Sequence, residues 1–392
     1  MLGGKSAFLR AALLLCCLLG RPAFADHDAA AYFGPRLVSE EVRVPVRGGR
    51  YTIAATLLRP AGPGPYGAVV LNHGVPVFAR ERATESWENF AHVAPVFARR
   101  GYVVIMPLRR GFGATGGEFA EDAGPCSNPN YQSAEQAAAD DVMAAYDYAR
   151  LLPYVDPSRM ILAGQSAGGL VSIFAAGTRA PKGLVAVLTF AAGRGGNPAA
   201  NPGVPCAVEP VARLFDALGK AVKAPVLLHY AENDLYFGPK ITRLWYERFS
   251  AGGAQAEYVV QPPFAEDGHN VFGDLIGLRH WLPTVERFLA THSVPFERLD
   301  AADPSRQDLF SSKLPYVRSA TCRSLYRVFL EAPGPRAYAV SADGHCGFAG
   351  GMKEAKAEAI RQCSSVAALP CVLYAEGEAV VWKKEDSTMA AR

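Results

Sequence analysis

Residues 160–169 read Met-Ile-Leu-Ala-Gly-Gln-Ser-Ala-Gly-Gly, an apolar run that stops abruptly at Gly-x-Ser-x-Gly. A buried strand that ends this way makes a sharp, strained turn and passes directly into a helix, leaving the Ser166 hydroxyl exposed at the turn. Gly164 and Gly168 lack a Cβ, so neighbouring segments can crowd that turn. The surrounding chain repeats the same alternation. Ala68–Leu71 and Tyr102–Met106 are short apolar runs rich in Val and Ile, the pattern of strands covered on both faces. Val42–Val46 and Tyr51–Leu58 alternate apolar with polar or small residues and read as an antiparallel opening pair. Leu184–Thr189, Ala224–His229 and Ala256–Val260 continue the strands, and Ser86–Arg99, Ala134–Leu151, Glu209–Ala221, Lys240–Ser250 and Gly277–Thr291 carry apolar residues at helical spacing. Repeated strand-helix-strand order predicts an α/β fold. Its sheet should be mostly parallel with helices on both faces, and such sheets bind ligands beyond the carboxyl ends of their strands.

Residues 1–25 are expected to stand apart from that fold as a signal peptide. Lys5 and Arg10 make a basic start, Ala11–Gly20 is a short apolar stretch, and Ala23-Phe-Ala25 is a small-x-small cleavage site. Removing them takes away Lys5, Arg10 and Arg21 and no acidic residue, so 37 basic residues face 37 acidic ones. A formally neutral chain argues against nucleic acid or an anionic membrane surface as the main partner. No later stretch is long and apolar enough for a membrane span, so a soluble exported product, periplasmic or secreted, is expected. Its oligomeric state is not legible. Six cysteines remain, Cys126, Cys206, Cys322, Cys346, Cys363 and Cys371; an even number in an exported chain reads as disulfides. None lies in a C-x-x-C pair and no His cluster has zinc spacing, so no metal or other cofactor is expected.

The length suggests one large domain, 26–294, and a small one. Residues 295–320 are polar with scattered Pro and Ser and read as a linker. Residues 321–385 hold Ser324–Leu330, Ala337–Val340, a Gly-rich turn Gly344–Gly351, a helix-like Lys353–Gln362, and strand-like Val372–Tyr374 and Val380–Trp382. With four cysteines this reads as a small disulfide-linked α+β module, because so short a unit has little core of its own. Cys363 and Cys371 suit a local bridge and Cys322–Cys346 would be the other, although four cysteines allow three pairings.

A serine hydroxyl becomes a strong nucleophile only when a base takes its proton, and histidine suits that role near neutral pH. In an arrangement of this order the acid and then the histidine follow the serine. His269 fits as base, since it lies in the turn-rich loop Pro262–Asn270 after the last strand of the large domain. Asp234 fits as acid, at the end of the strand that starts at Ala224, with Glu232 the alternative. The acid would accept the second imidazole N–H and stabilise the imidazolium. The oxyanion donors would be the amides of Ala167, after the serine, and Val75, in Leu71-Asn-His-Gly-Val-Pro76, where Pro76 has no N–H to give. His73 in that loop is an alternative base, although its place before a glycine favours a structural role. Gly111–Asn130 and Gly193–Pro205 are long Gly- and Pro-rich loops on the catalytic side. Each contains or ends at a cysteine, so a Cys126–Cys206 bridge would tie them into a fixed rim. Phe112, Tyr236 and Phe237, with Phe119, Tyr131 and Phe264, lie near these strand ends and could line an apolar substrate site.

Asn72-His-Gly, Arg109-Arg-Gly-Phe-Gly, Gly164-Gln-Ser-Ala-Gly-Gly, Glu232-Asn-Asp and Asp267-Gly-His together make residues 26–293 resemble the α/β-hydrolase superfamily, and within it the dienelactone-hydrolase group. The dienelactone hydrolases proper carry a cysteine nucleophile where this chain has Ser166, so the resemblance implies a serine esterase acting on small ester substrates. The Arg-Gly-Phe-Gly segment also resembles serine peptidases that cleave after proline, though no large N-terminal gate accompanies it. The rival readings are therefore a peptidase on the same fold and a non-catalytic envelope binding or scaffold protein. The C-terminal module resembles small Cys-paired envelope domains.

Overall fold

The computed structural model describes residues 36–311 and 313–383; the expected signal peptide lies outside the described residues. Eight strands form one sheet: β1 (Leu37–Val46), β2 (Tyr51–Pro60), β3 (Tyr66–Asn72), β4 (Tyr102–Pro107), β5 (Val155–Gln165), β6 (Leu184–Phe190), β7 (Val226–Ala231) and β8 (Ala256–Gln261). Their spatial order is β1-β2-β4-β3-β5-β6-β7-β8. β2 runs antiparallel to both β1 and β4, and every pair from β4 onward is parallel. β3 and β5 lie at the centre, where Val69 pairs with Val104 on one side and Ile161 on the other. Burial on both faces explains why these strands are continuous apolar runs.

Helices cover both faces. On one lie α2 (Tyr131–Arg150), α3 (Ala167–Arg179), α4 (Val208–Ala221) and α5 (Pro239–Ala251), which bury Val142, Leu170, Phe215 and Trp245 against Val70, Leu162 and Leu228. On the other, α1 (Ala94–Ala98) and α6 (Leu278–Thr291) bury Phe97, Trp281 and Phe288 against Val69, Ile161 and Leu227. The single helix expected over Ser86–Arg99 is broken: a 3-10 turn, Trp87–Phe90, precedes α1. Pro95 sits in the first turn of α1, where its missing N–H costs nothing, whereas a helix running through it from Ser86 would lose a hydrogen bond and meet a carbonyl.

The C-terminal residues form α7 (Ala320–Glu331), β9 (Arg336–Ser341), β10 (Cys346–Gly350), α8 (Ala355–Ser364), β11 (Cys371–Glu376) and β12 (Ala379–Val380), with an antiparallel sheet ordered β10-β9-β11-β12. The Gly-rich segment expected to be a turn is strand β10. Gly347 there lies so close to α8 that a Cβ would come within 2.0 Å of the Ala359 carbonyl oxygen, so glycine serves helix-sheet contact rather than a bend. Residues 295–311 are packed, with Phe296 and Leu309 buried in the same apolar cluster as α6 and α7. Glu331 of α7 joins the two parts: its buried carboxylate meets Arg100 at 2.9 Å and Arg298 at 2.8 Å. Three disulfides are present, Cys126–Cys206, Cys322–Cys346 and Cys363–Cys371.

Candidate active site

β5 delivers Ser166 at its carboxyl end and α3 starts one residue later. Ser166 has φ 57° and ψ −126°, a backbone conformation that a side-chain-bearing residue adopts only when its surroundings hold it there. The surroundings leave no slack. A Cβ on Gly168 would sit 2.1 Å from the Asn72 carbonyl oxygen, and one on Gly164 would sit 2.4 Å from that of Gly168. The glycines of the pentapeptide thus let β3, β5 and α3 meet behind the serine.

The loops after β7 and β8 bring Asp234 and His269 together. His269 Nδ1 lies 3.1 Å from both Asp234 carboxylate oxygens, and both residues are buried. With Nδ1–H donated to the carboxylate, Nε2 is the basic nitrogen. Asp234 Oδ1 also accepts the Tyr236 and Phe237 N–H groups at 2.8 and 2.9 Å, which fixes the carboxylate. Glu232, the alternative acid, is exposed. Two side chains outside the expected set hold the histidine loop. Asp267 Oδ1 accepts from the His269 and Leu235 amides at 2.9 and 3.0 Å, bridging the two loops. Gln165 Nε2 donates to the His269 carbonyl at 2.6 Å, tying that loop to the serine turn. Both stand in segments that carry the resemblance, Gln165 one residue before the serine and Asp267 two before the histidine, but no signal in the sequence assigned them this bracing role.

His73 is buried with both ring nitrogens engaged: Nδ1–H donates to the Gly74 carbonyl at 2.7 Å and Nε2 accepts the Arg109 N–H at 3.2 Å. Burial, reinforced by the Arg109 guanidinium, pushes its pKa down to about 3. A neutral ring without a free nitrogen is a structural histidine. Among the described residues, the amides of Val75 and Ala167 have no backbone acceptor.

Ser166, His269, Gly74, Val75 and Tyr236 line one cleft of about 530 Å³. Tyr236 stacks on the His269 ring at 4.0 Å between centroids. Phe112 and Phe237 do not line it. Phe112 is fully buried edge-on against His73, and Phe237 lies beneath His269 against Trp245. Glu85, Glu88 and Asp274 also line it, so the cleft is more polar than the aromatic residues of the sequence implied. Burial raises the Glu85 pKa despite the Asn89 amide that donates to it. Among the described residues, no cluster of His, Cys, Asp and Glu is placed to hold a metal ion.

A sheet ordered 1-2-4-3-5-6-7-8 with an antiparallel second strand, and a strained serine between the fifth strand and the following helix, decides the architecture. This is the α/β-hydrolase fold. The model of the prolyl oligopeptidase family matches residues 88–191, which span α1 to β6 and include the serine turn. A search of the curated proteins finds no match. Solved structures similar to this chain include a dienelactone hydrolase-like promiscuous phosphotriesterase from metagenomic libraries, 15% identical with TM-score 0.46, over 65% of this chain and 98% of that one. An esterase of Pyrococcus furiosus is 13% identical with TM-score 0.45, over 65% of this chain and 90% of that one. An acylaminoacyl peptidase of Pyrococcus horikoshii is 16% identical with TM-score 0.47, over 67% of this chain. The match spans only 44% of that peptidase's own length.

Proposed function

We propose that this α/β hydrolase is an exported serine enzyme that cleaves carboxylic esters through an acyl-enzyme. Ser166 attacks the carbonyl carbon, and His269 Nε2 takes the hydroxyl proton and returns it to the leaving alcohol. Asp234 orients the imidazole, and the amides of Val75 and Ala167 receive the oxyanion. Water then attacks the acyl-enzyme by the same proton route. The observation that carries this reading is the His269 Nδ1 contact to both oxygens of Asp234 in a loop that shares its cleft with Ser166. The three disulfides support a site of action outside the cytoplasm. We assign catalysis to residues 26–294, with 295–320 as a connecting segment and 321–385 as an accessory module. In keeping with this, none of the lining residues of the cleft lies beyond Asp274.

A fluorophosphonate probe should label the protein, and Ser166→Ala should abolish both labelling and p-nitrophenyl ester turnover. Labelling that survives the substitution would sink the assignment. The second reading is a serine peptidase, favoured by the family match over residues 88–191. Proline-containing peptide anilides turned over faster than short esters would establish it instead.

A further inference from the structure

Behind the serine cleft lies a buried ionic chain that the triad does not use. Arg109, fully buried after β4, is paired through its guanidinium with Glu121. The second oxygen of Glu121 accepts from Arg194 Nη2 at 2.7 Å, and Arg194 Nε donates to Glu135 of α2 at 2.6 Å. Two arginines and two glutamates sum to no net charge. Burial alone would raise the Glu121 pKa, but Arg109 and Arg194 outweigh it and hold it down to about 2. Such a chain is costly to desolvate.

The geometry it fixes belongs to the loop beside Ser166. Arg109 Nη1 donates to the His73 carbonyl at 2.8 Å and Nη2 to the Gly74 carbonyl at 3.3 Å. His73 Nδ1–H adds a second bond to the Gly74 carbonyl. That oxygen is therefore drawn inward by two buried donors. In a trans peptide the C=O and the following N–H point opposite ways. The Val75 N–H must then point outward, into the cleft, and a Cβ on Gly74 would lie only 3.2 Å from the Ser166 Cβ. We propose that Arg109, anchored by Glu121, is a positioning residue for the oxyanion hole: it turns the Gly74–Val75 peptide so that its N–H faces the carbonyl oxygen under attack. The proposal rests on the serine-hydrolase reading above. A planar guanidinium reaches two carbonyls and a carboxylate together, and a lysine ammonium does not.

The test compares wild type, Arg109→Lys and His73→Phe. The phenyl ring keeps the packing on Phe112 but gives the Gly74 carbonyl no donor. The readouts are kcat and KM on p-nitrophenyl butyrate, affinity for phenylboronic acid as a tetrahedral adduct of Ser166, and the melting temperature. Arg109→Lys is expected to lower kcat about 100-fold, within the range for a lost oxyanion donor, with KM changed less than about threefold and boronate affinity falling alongside kcat. His73→Phe should lose about tenfold in kcat, and it supplies the same readout if the lysine variant does not fold. Folded variants that melt earlier yet keep wild-type kcat and boronate affinity would overturn the positioning role alone. A wild type that neither turns over esters nor takes the fluorophosphonate label would instead overturn the hydrolase reading beneath it.

Discussion

Ser166 carries the strain of the site in its own backbone, and the residues next to it are chosen by that strain. A left-handed φ at a serine costs of order 1–3 kcal/mol, which the packed strand and helix must over-determine. Gly168 makes this possible, because its Cα faces two backbone carbonyls of the β3 loop and no flexible side chain. Gly168→Ala puts a methyl 2.1 Å from the Asn72 oxygen and 2.4 Å from the His73 oxygen, so either α3 or the loop that carries Val75 must move. Overpacking of this kind costs about 1–3 kcal/mol, and a 1 Å displacement at a reacting centre can cost 100-fold in rate. The variant is expected to lose esterase activity by about that factor while still folding, read from kcat beside a thermal melt. Wild-type kcat in the alanine variant would show that the contact relaxes without moving the site.

The disulfides act on elements rather than single residues, and their loops differ in length. Cys126–Cys206 joins the loop after β4 to the loop after β6 across 80 residues, whereas Cys363–Cys371 closes 8 between α8 and β11. Chain-entropy reasoning gives the long loop about 4.5 kcal/mol and the short one about 2.5, before native strain is counted. Replacing Cys126 and Cys206 together by serine should therefore lower the free energy of unfolding, taken from urea denaturation as midpoint times slope, more than the Cys363/Cys371 double serine variant does. Equal shifts would contradict it. Elements also mark how far the sequence could be read. The central strands were legible as apolar runs of sheet length and the first two by their alternation, and Ser166, Asp234 and His269 stand out because each follows a strand. Pro95 breaks the Ser86–Arg99 helix through local chemistry that periodicity alone does not weigh. β10 reads as a turn because Gly347 is there for contact with α8, which is a tertiary fact. The chain Arg109–Glu121–Arg194–Glu135 was invisible for a similar reason: charged residues far apart in sequence read by default as surface, and only the fold brings them into contact.

Over the whole molecule, stability should depend on pH through two histidines that the fold buries neutral. His229, on β7, has both ring nitrogens unpartnered beside Phe190, and burial lowers its pKa to about 3; His73 is lowered to about 3 in the same way. In the unfolded chain both return to 6.5. Between those values the unfolded state binds the protons, so stability is complete above about pH 6.5 and is lost as pH falls toward 3. Glu121 adds a lower window: its pKa rises from about 2 in the fold to 4.5 when unfolded, so its contribution fades as pH falls from 4.5 toward 2. The two histidines can be separated because only His73 has hydrogen bonds to lose. His229→Leu removes a titrating group of similar volume without unpairing a partner, and at pH 4.5 it should relieve a penalty on the order of 2 kcal/mol that is absent at pH 7.5. Melting temperatures from pH 7.5 to 4 are expected to fall for both proteins, with the leucine variant falling less steeply and the gap widening below pH 6.5. Parallel curves across that range would mean that His229 accepts a proton within the folded sheet, so that its burial does not govern the acid limb.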